Sequence, residues 1–199
     1  MSSSDSMNKF HELILGGARS GKSQLAEQRA EATGMELLYL ATATAGDAEM
    51  SARICHHQER REGKWVLLEE PTELAKVLSK NAQADRCILV DCLTLWISNC
   101  LHQNCWMEQR EALLAVLEKL PGHIIFVSNE TGMGVVPMGE LSRQFVDESG
   151  FFHQQLAALC DQVTLTVAGL PLTLKEPLAL KESLTLKESL TLKTPGQEN

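Results

Sequence analysis

The chain reads as one α/β domain with a mainly parallel central sheet and helices on both faces. Three observations predict this. Apolar runs recur at Leu13–Leu15, Leu37–Ala41, Val66–Leu68, Cys87–Val90, Ile124–Val127 and Val163–Val167, and helical patterns fill most of the gaps between them. The first run feeds Gly16-Gly17-Ala18-Arg19-Ser20-Gly21-Lys22-Ser23, a full G-x-x-x-x-G-K-[ST] phosphate loop between a strand and a helix-forming segment. The length, 199 residues with 44 % apolar content, suits a single domain with a sizeable core.

Composition narrows the function classes. A net charge of −8 argues against a general nucleic-acid-binding surface. There is no long uncharged apolar run, so no transmembrane helix is expected. The polar start, Met1-Ser2-Ser3-Ser4-Asp5-Ser6, lacks the apolar core of a signal peptide, and the expected location is the cytoplasm. Residues 1–10 read as a disordered tail, with Met7 an alternative start, and residues 11–175 as the domain. None of the six cysteines (Cys55, Cys87, Cys92, Cys100, Cys105, Cys160) forms a C-x-x-C pair or a metal-ligand spacing, so buried free thiols are expected.

Taken in order, the first strand delivers the phosphate loop. Its glycines let several N–H groups converge on one anion, and the N-terminus of the following helix adds partial positive charge. Lys22 is placed to reach the outer phosphates and the Ser23 hydroxyl to hold Mg²⁺. Gly34 marks the end of that helix. In sheets of this kind ligands gather at the carboxyl ends of strands. The second strand ends in Ala41-Thr42-Ala43, small residues that admit a ligand close to the backbone or simply form a loop. Asp47 to Arg61 reads as a helix capped by Asp47. It carries Arg53, His56, His57, Arg60 and Arg61, with each arginine three or four residues from a histidine. That face is either a solvated basic surface or a partner for a polyanion, with the arginines disfavouring imidazolium and leaving a ring nitrogen free to attack.

The third strand ends in Glu69-Glu70, and Pro71 is expected to open a helix to about Ala82. The strand Arg86–Val90 ends in Asp91, which either orients Mg²⁺ opposite the phosphate loop or caps the helix starting near Leu93. Leu93–Gln103 and Glu108–Lys119 read as helices. The strand from His123 to Ser128 runs into the loop Asn129-Glu130-Thr131-Gly132-Met133-Gly134, where Glu130 is a candidate base or metal-shell residue, or part of a structural turn. Glu140–Cys160 reads as a long helix with Gly150 inside it, a possible site for a bend. After the strand Val163–Val167, the unit Leu172-Thr173-Leu174-Lys175-Glu176-Pro177 begins a period of six that runs to Pro195. Its first copy is expected to be the domain's last strand, and residues 176–199 a repetitive low-complexity tail dispensable for activity.

The phosphate loop, Ala41-Thr42-Ala43, Arg53-Ile54-x-His56-His57, Asp91-Cys92-Leu93-Thr94-Leu95-Trp96 and Ser128-Asn129-Glu130-x-Gly132-Met133-Gly134-Val135-Val136-Pro137 together resemble the bifunctional adenosylcobinamide kinase / adenosylcobinamide-phosphate guanylyltransferase family of cobalamin synthesis. The resemblance spans Leu13 to Lys175. It implies a RecA-like P-loop fold, a homotrimer, and two reactions. In the first, ATP or GTP phosphorylates the aminopropanol hydroxyl of adenosylcobinamide. In the second, GTP donates GMP to adenosylcobinamide phosphate through a guanylyl-histidine, giving adenosylcobinamide-GDP and pyrophosphate. Carried onto this chain, it implies His57 as nucleophile, with His56 the fallback, and Lys22 as the second catalytic residue. Nucleotide contacts would fall on Gly16, Gly17, Ala18, Arg19, Ser20, Gly21, Lys22, Ser23, Ala41, Thr42, Ala43, Gln58, Glu59, Arg60, Arg61, Glu69 and Asp91. Ser23 and Asp91 would hold Mg²⁺. Two rival readings are a single-function P-loop kinase of another small metabolite, which needs no nucleophilic histidine, and a nucleotide-binding regulatory module, against which the intact Lys22, Ser23, Asp91 and His57 argue.

Overall fold

The computed structural model describes residues 9–43 and 65–177. Twelve elements follow along these residues: β1 (Lys9–Gly16), α1 (Lys22–Ala32), β2 (Glu36–Ala41), β3 (Trp65–Glu69), α2 (Leu74–Asn81), β4 (Arg86–Asp91), α3 (Leu93–His102), α4 (Trp106–Leu117), β5 (Gly122–Asn129), α5 (Glu140–Leu159), β6 (Gln162–Val167) and β7 (Leu170–Lys175). The helix expected over Asp47–Arg61 and the repeats from Leu178 onward lie outside the described residues.

The strands form one sheet in the order β3-β2-β4-β5-β1-β6-β7. Every pairing is parallel except β6–β7, which is antiparallel. The apolar runs are near-continuous because successive side chains point to opposite faces and both faces are covered. On β1, Leu13 and Leu15 enter one layer with α2, α3, α4 and α5, while Ile14 enters the other with α1. The larger layer centres on three rings: Trp96 of α3, Trp106 of α4 and Phe152 of α5, with centroids 5.3 to 5.5 Å apart. Each indole also has a polar partner, since Trp96 Nε1 donates to the Thr72 carbonyl at 2.7 Å and Trp106 Nε1 to Glu148 Oε2 at 2.6 Å.

One boundary moves. The helix expected from Pro71 begins at Leu74 instead. Glu70 Oε1 accepts the amides of Thr72 at 2.9 Å and Glu73 at 2.8 Å, and so holds Pro71–Glu73 as a turn ahead of the helix. Helix α5 is continuous through Gly150.

Strand β7 is the sheet's antiparallel edge. A two-residue turn, Ala168-Gly169, joins it to β6, and both residues have positive φ (52° and 80°), as a type I′ hairpin requires. Lys175 fastens the far end: its Nζ donates to the carbonyls of Ala157, Ala158 and Cys160, closing the C-terminus of α5 with a cation.

Candidate active site

The phosphate loop is shaped by its own backbone and side-chain contacts. Gly16 ends β1 where a side chain has no room, since an added Cβ would lie 2.5 Å from both the Ser20 hydroxyl and the Thr166 carbonyl. Gly21, at φ 95°, turns the chain left-handed into α1. The Ser20 amide closes on the Gly17 carbonyl at 3.3 Å, and Leu25 N–H on Gly21 O at 3.0 Å begins the helical ladder. Lys22 is largely buried, and its Nζ bends back to the Gly17 carbonyl at 2.8 Å, bringing the ammonium across the loop. Gly17, Ala18 and Arg19 stand exposed at the mouth.

The turn of the β6–β7 hairpin braces this loop from the side. Gly169 N–H donates to the Ser20 carbonyl at 2.9 Å, and a Cβ on Gly21 would approach Gly169 Cα to 3.2 Å. The sequence reading did not foresee this brace. Its only local signal is the Ala168-Gly169 pair, and what the turn touches depends on β6 lying beside β1.

Four more strand ends share the same edge of the sheet. Ala41 is level with both Asp91 and Glu69, and Gly16 is level with Asn129. Strand β5 separates β4 from β1, so Asp91 stands two strand spacings, about 10 Å, from the phosphate-loop strand. Asp91 is half-buried and accepts the Tyr39 hydroxyl at 3.0 Å on Oδ2. Thr42 is buried, and its hydroxyl donates to the Cys92 carbonyl at 2.6 Å while accepting the Cys92 amide at 2.9 Å. It thus ties β2 to the end of β4. Ala41 and Ala43 are buried beside it, and Glu69 is exposed.

At the end of β5 a polar relay interrupts the core. The His153 ring on α5 is hydrogen-bonded to the buried Ser128 hydroxyl at 2.8 Å, and Ser128 lies 3.4 Å from the Thr94 hydroxyl, which accepts the Asn129 amide at 2.8 Å. Burial holds His153 below the ordinary imidazole range, partly opposed by the nearby Glu130. The next amide, of Glu130, donates to the Gly16 carbonyl at 3.0 Å, so the relay ends on the phosphate loop. Among the described cysteines, burial pushes the Cys92 thiol to about 11 and the Cys87 and Cys160 thiols to about 12. These thiols are protonated at neutral pH and are poor nucleophiles.

Gly16 to Ser23, Ala41 to Ala43, Glu69 and Asp91 therefore all lie along the carboxyl edge, whereas His57, Gln58, Glu59, Arg60 and Arg61 lie outside the described residues. The donors on this edge that suit a divalent ion are hard oxygens, the Ser23 hydroxyl and the Asp91 carboxylate. No group of three or more His, Cys, Asp or Glu ligands exists among the described residues. Such a sparse oxygen set fits Mg²⁺ carried by nucleotide phosphates and water better than a resident ion in a protein cage.

Residues 12–174 match the family model described as cobinamide kinase / cobinamide phosphate guanyltransferase. The chain belongs to this family. It is 58 % identical over 169 residues to the bifunctional adenosylcobalamin biosynthesis protein CobP of Pseudomonas aeruginosa, covering 83 % of this chain and 98 % of that one. It is 35 % identical over 179 residues to the bifunctional adenosylcobalamin biosynthesis protein CobU of Escherichia coli, covering 82 % and 98 %. Among solved structures, the assembled ATPase EscN of the enteropathogenic E. coli type III secretion system superposes with a TM-score of 0.54 over 96 % of this chain and 58 % of that one, at 11 % identity. That likeness concerns the fold alone, a mainly parallel sheet flanked by helices. The family's two activities, kinase and guanylyltransferase, both handle a nucleoside triphosphate, in keeping with the phosphate loop at the centre of the edge.

Lys22 carries an ammonium across the phosphate loop. A Lys22→Ala variant is expected to lose about 10²–10³-fold in kcat for phosphorylation, the usual cost of losing one preorganised charge-stabilising donor. Steady-state assays at saturating nucleotide check this, and a loss below tenfold would remove Lys22 from the chemistry.

Proposed function

We propose that this chain phosphorylates adenosylcobinamide and then guanylylates the product, with both reactions supplied by nucleotide held at Gly16 to Ser23. The observation that carries the reading is the phosphate loop inside a chain whose residues 12–174 match the kinase/guanyltransferase family. In the first reaction the loop amides and Lys22 hold the outer phosphates, and the acceptor hydroxyl attacks the γ-phosphorus. That step needs no covalent intermediate.

In the second reaction a neutral ring nitrogen of His57 attacks the α-phosphorus of GTP. A phosphoramidate bond forms, the α–β anhydride breaks, and pyrophosphate leaves. The phosphate of the adenosylcobinamide product then attacks the same phosphorus and releases His57. Arg53, Arg60 and Arg61 neighbour the histidine pair in sequence at helical spacing, which supports their neutralising the phosphate oxygens and keeping the imidazole unprotonated. Ser23 and Asp91 would hold Mg²⁺, which when bound supplies charge neutralisation at the phosphates. Ala41 to Ala43 and Glu69 would border the nucleotide on the β2–β3 side, and Gln58 to Arg61 would supply further nucleotide contacts.

The partners under this reading are ATP or GTP, adenosylcobinamide and its phosphate, in the cytoplasm, and the assembly is a homotrimer. An exposed apolar run supports association: Met133, Val135, Val136 and Met138 follow β5 at 67 to 96 % exposure. Sedimentation equilibrium reads the assembly directly, and a monomer at micromolar concentration would refute the trimer. No helix among the described residues is long and apolar enough to cross a membrane.

The deciding assay combines the full chain with adenosylcobinamide, GTP and Mg²⁺. Adenosylcobinamide phosphate should appear first and adenosylcobinamide-GDP second, with one pyrophosphate released per GMP transferred. Phosphorylation without guanylyl transfer would leave the single-function kinase as the correct reading.

A further inference from the structure

Beside the phosphate loop, α5 stands away from the β6–β7 hairpin and leaves a cavity of about 440 Å³. Its lining includes Leu15, Glu130, Gly150, His153, Val163 and Leu174. The walls contributed by β1 and β6, Leu15 and Val163, are apolar, while β7 contributes Leu174 and Lys175. Gly150 leaves its part of the helix bare, since a Cβ built there meets nothing within 4 Å. Of its polar lining residues, Glu130, His153, Gln154 and Lys175, Glu130 is tied directly to the phosphate loop, since its amide donates to the Gly16 carbonyl at 3.0 Å.

A carboxylate at that position needs an explanation. Beside a bound triphosphate it meets like charge, which is unfavourable at short range. Glu130 Oε1 accepts the Gly132 amide at 2.7 Å, which shapes the loop, and a carboxylate offers a second oxygen. A carboxylate next to the phosphates gains a use when a hydroxyl lies between them: it accepts the proton that the attacking oxygen must lose.

We propose that this cavity receives the hydroxyl-bearing arm of the cobinamide acceptor and that Glu130 is the base for its phosphorylation. The inference rests on the reading above that the phosphate loop holds the phosphoryl donor. In the step, the acceptor O–H bond breaks and its proton passes to the Glu130 carboxylate. The oxygen forms a bond to the γ-phosphorus as the bond from that phosphorus to the β-phosphate bridging oxygen breaks, and the nucleoside diphosphate leaves. His153 is a positioning residue: through Ser128 and Thr94 it fixes the end of β5 from which Glu130 projects.

Two variants of the full chain test this, assayed with γ-labelled nucleotide and adenosylcobinamide. Glu130→Gln is expected to lower kcat for phosphorylation by about 10²-fold or more with the nucleotide KM unchanged, since positioned bases contribute about 10²–10⁴-fold. Gly150→Leu projects a side chain into open space and is expected to raise the cobinamide KM at least fivefold, again with the nucleotide KM unchanged. Thermal melting within a few degrees of the parent excludes misfolding as the cause. A Glu130→Gln enzyme with parental kcat overturns the base assignment, and a Gly150→Leu enzyme with parental cobinamide KM overturns the cavity assignment. If the parent itself transfers no phosphoryl group to cobinamide, the kinase reading fails and this inference with it. If the parent transfers it and both variants match the parent, only this inference fails.

Discussion

A His57→Ala variant incubated with α-labelled GTP and Mg²⁺ is expected to carry no protein-bound label, while the parent carries an acid-labile, alkali-stable one. The reason is chemical. A phosphoramidate needs an unprotonated ring nitrogen, and alanine offers no substitute nucleophile. Guanylyl transfer should fall by at least about 10³-fold, because direct attack by the acceptor phosphate would have to replace a two-step path. Phosphorylation of adenosylcobinamide should persist, since it uses the γ-phosphorus and no covalent intermediate. The pair of measurements separates the two activities in one protein. Full labelling of His57→Ala would move the nucleophile elsewhere, and His56→Ala is the control that tells the adjacent rings apart.

Phe152→Ala is expected to destabilise the fold by about 3–5 kcal/mol, in the range measured for emptying a buried aromatic site. Phe152 is fully buried, and its ring lies 5.4 Å from Trp96 and 5.5 Å from Trp106. Truncation would leave two indoles facing a void, and neither moves freely. Trp96 is tied to the Thr72 carbonyl and Trp106 to Glu148, so collapse into the gap would break hydrogen bonds. Urea unfolding followed by tryptophan fluorescence measures the cost directly, and a loss below about 1 kcal/mol would show that the three-ring cluster relaxes far more than a close-packed core does. The next residue, His153, holds Ser128, so the same variant should also disturb the end of β5.

The parts of this molecule legible in the sequence are those set by local pattern. The central apolar runs became strands because burial on both faces demands a continuous run, and at the edge strand β3 the run is only partly covered. The phosphate loop was legible because its glycines, lysine and serine are contiguous. What stayed open depended on distant groups. Thr42 read equally well as a ligand neighbour or a loop residue, and its hydroxyl is in fact engaged by the Cys92 backbone, fifty positions away. The start of α2 is a different case, set locally: Pro71 signals a helix start, but the adjacent Glu70 side chain holds the Thr72 and Glu73 amides in a turn first. The Ser128–His153 pair needs α5 to cross β5, and the brace of Gly169 on Ser20 needs β6 beside β1. Neither adjacency is encoded within one segment. The histidine pair is the reverse case, legible as chemistry at positions 56 and 57 and lying outside the described residues.

The outermost strand carries one further consequence. Its working text, Leu172-Thr173-Leu174-Lys175, is written again as Leu178-Ala179-Leu180-Lys181, Leu184-Thr185-Leu186-Lys187 and Leu190-Thr191-Leu192-Lys193. Each copy repeats the leucines at alternate positions and the lysine that, in the first copy, fastens the strand to the end of α5. Excising the six residues 172–177 therefore brings the next copy into register behind the same Ala168-Gly169 turn, with Ala179 where Thr173 stood. At this one edge of the sheet, a loss in multiples of six residues exchanges one spelling of the strand's sequence for another.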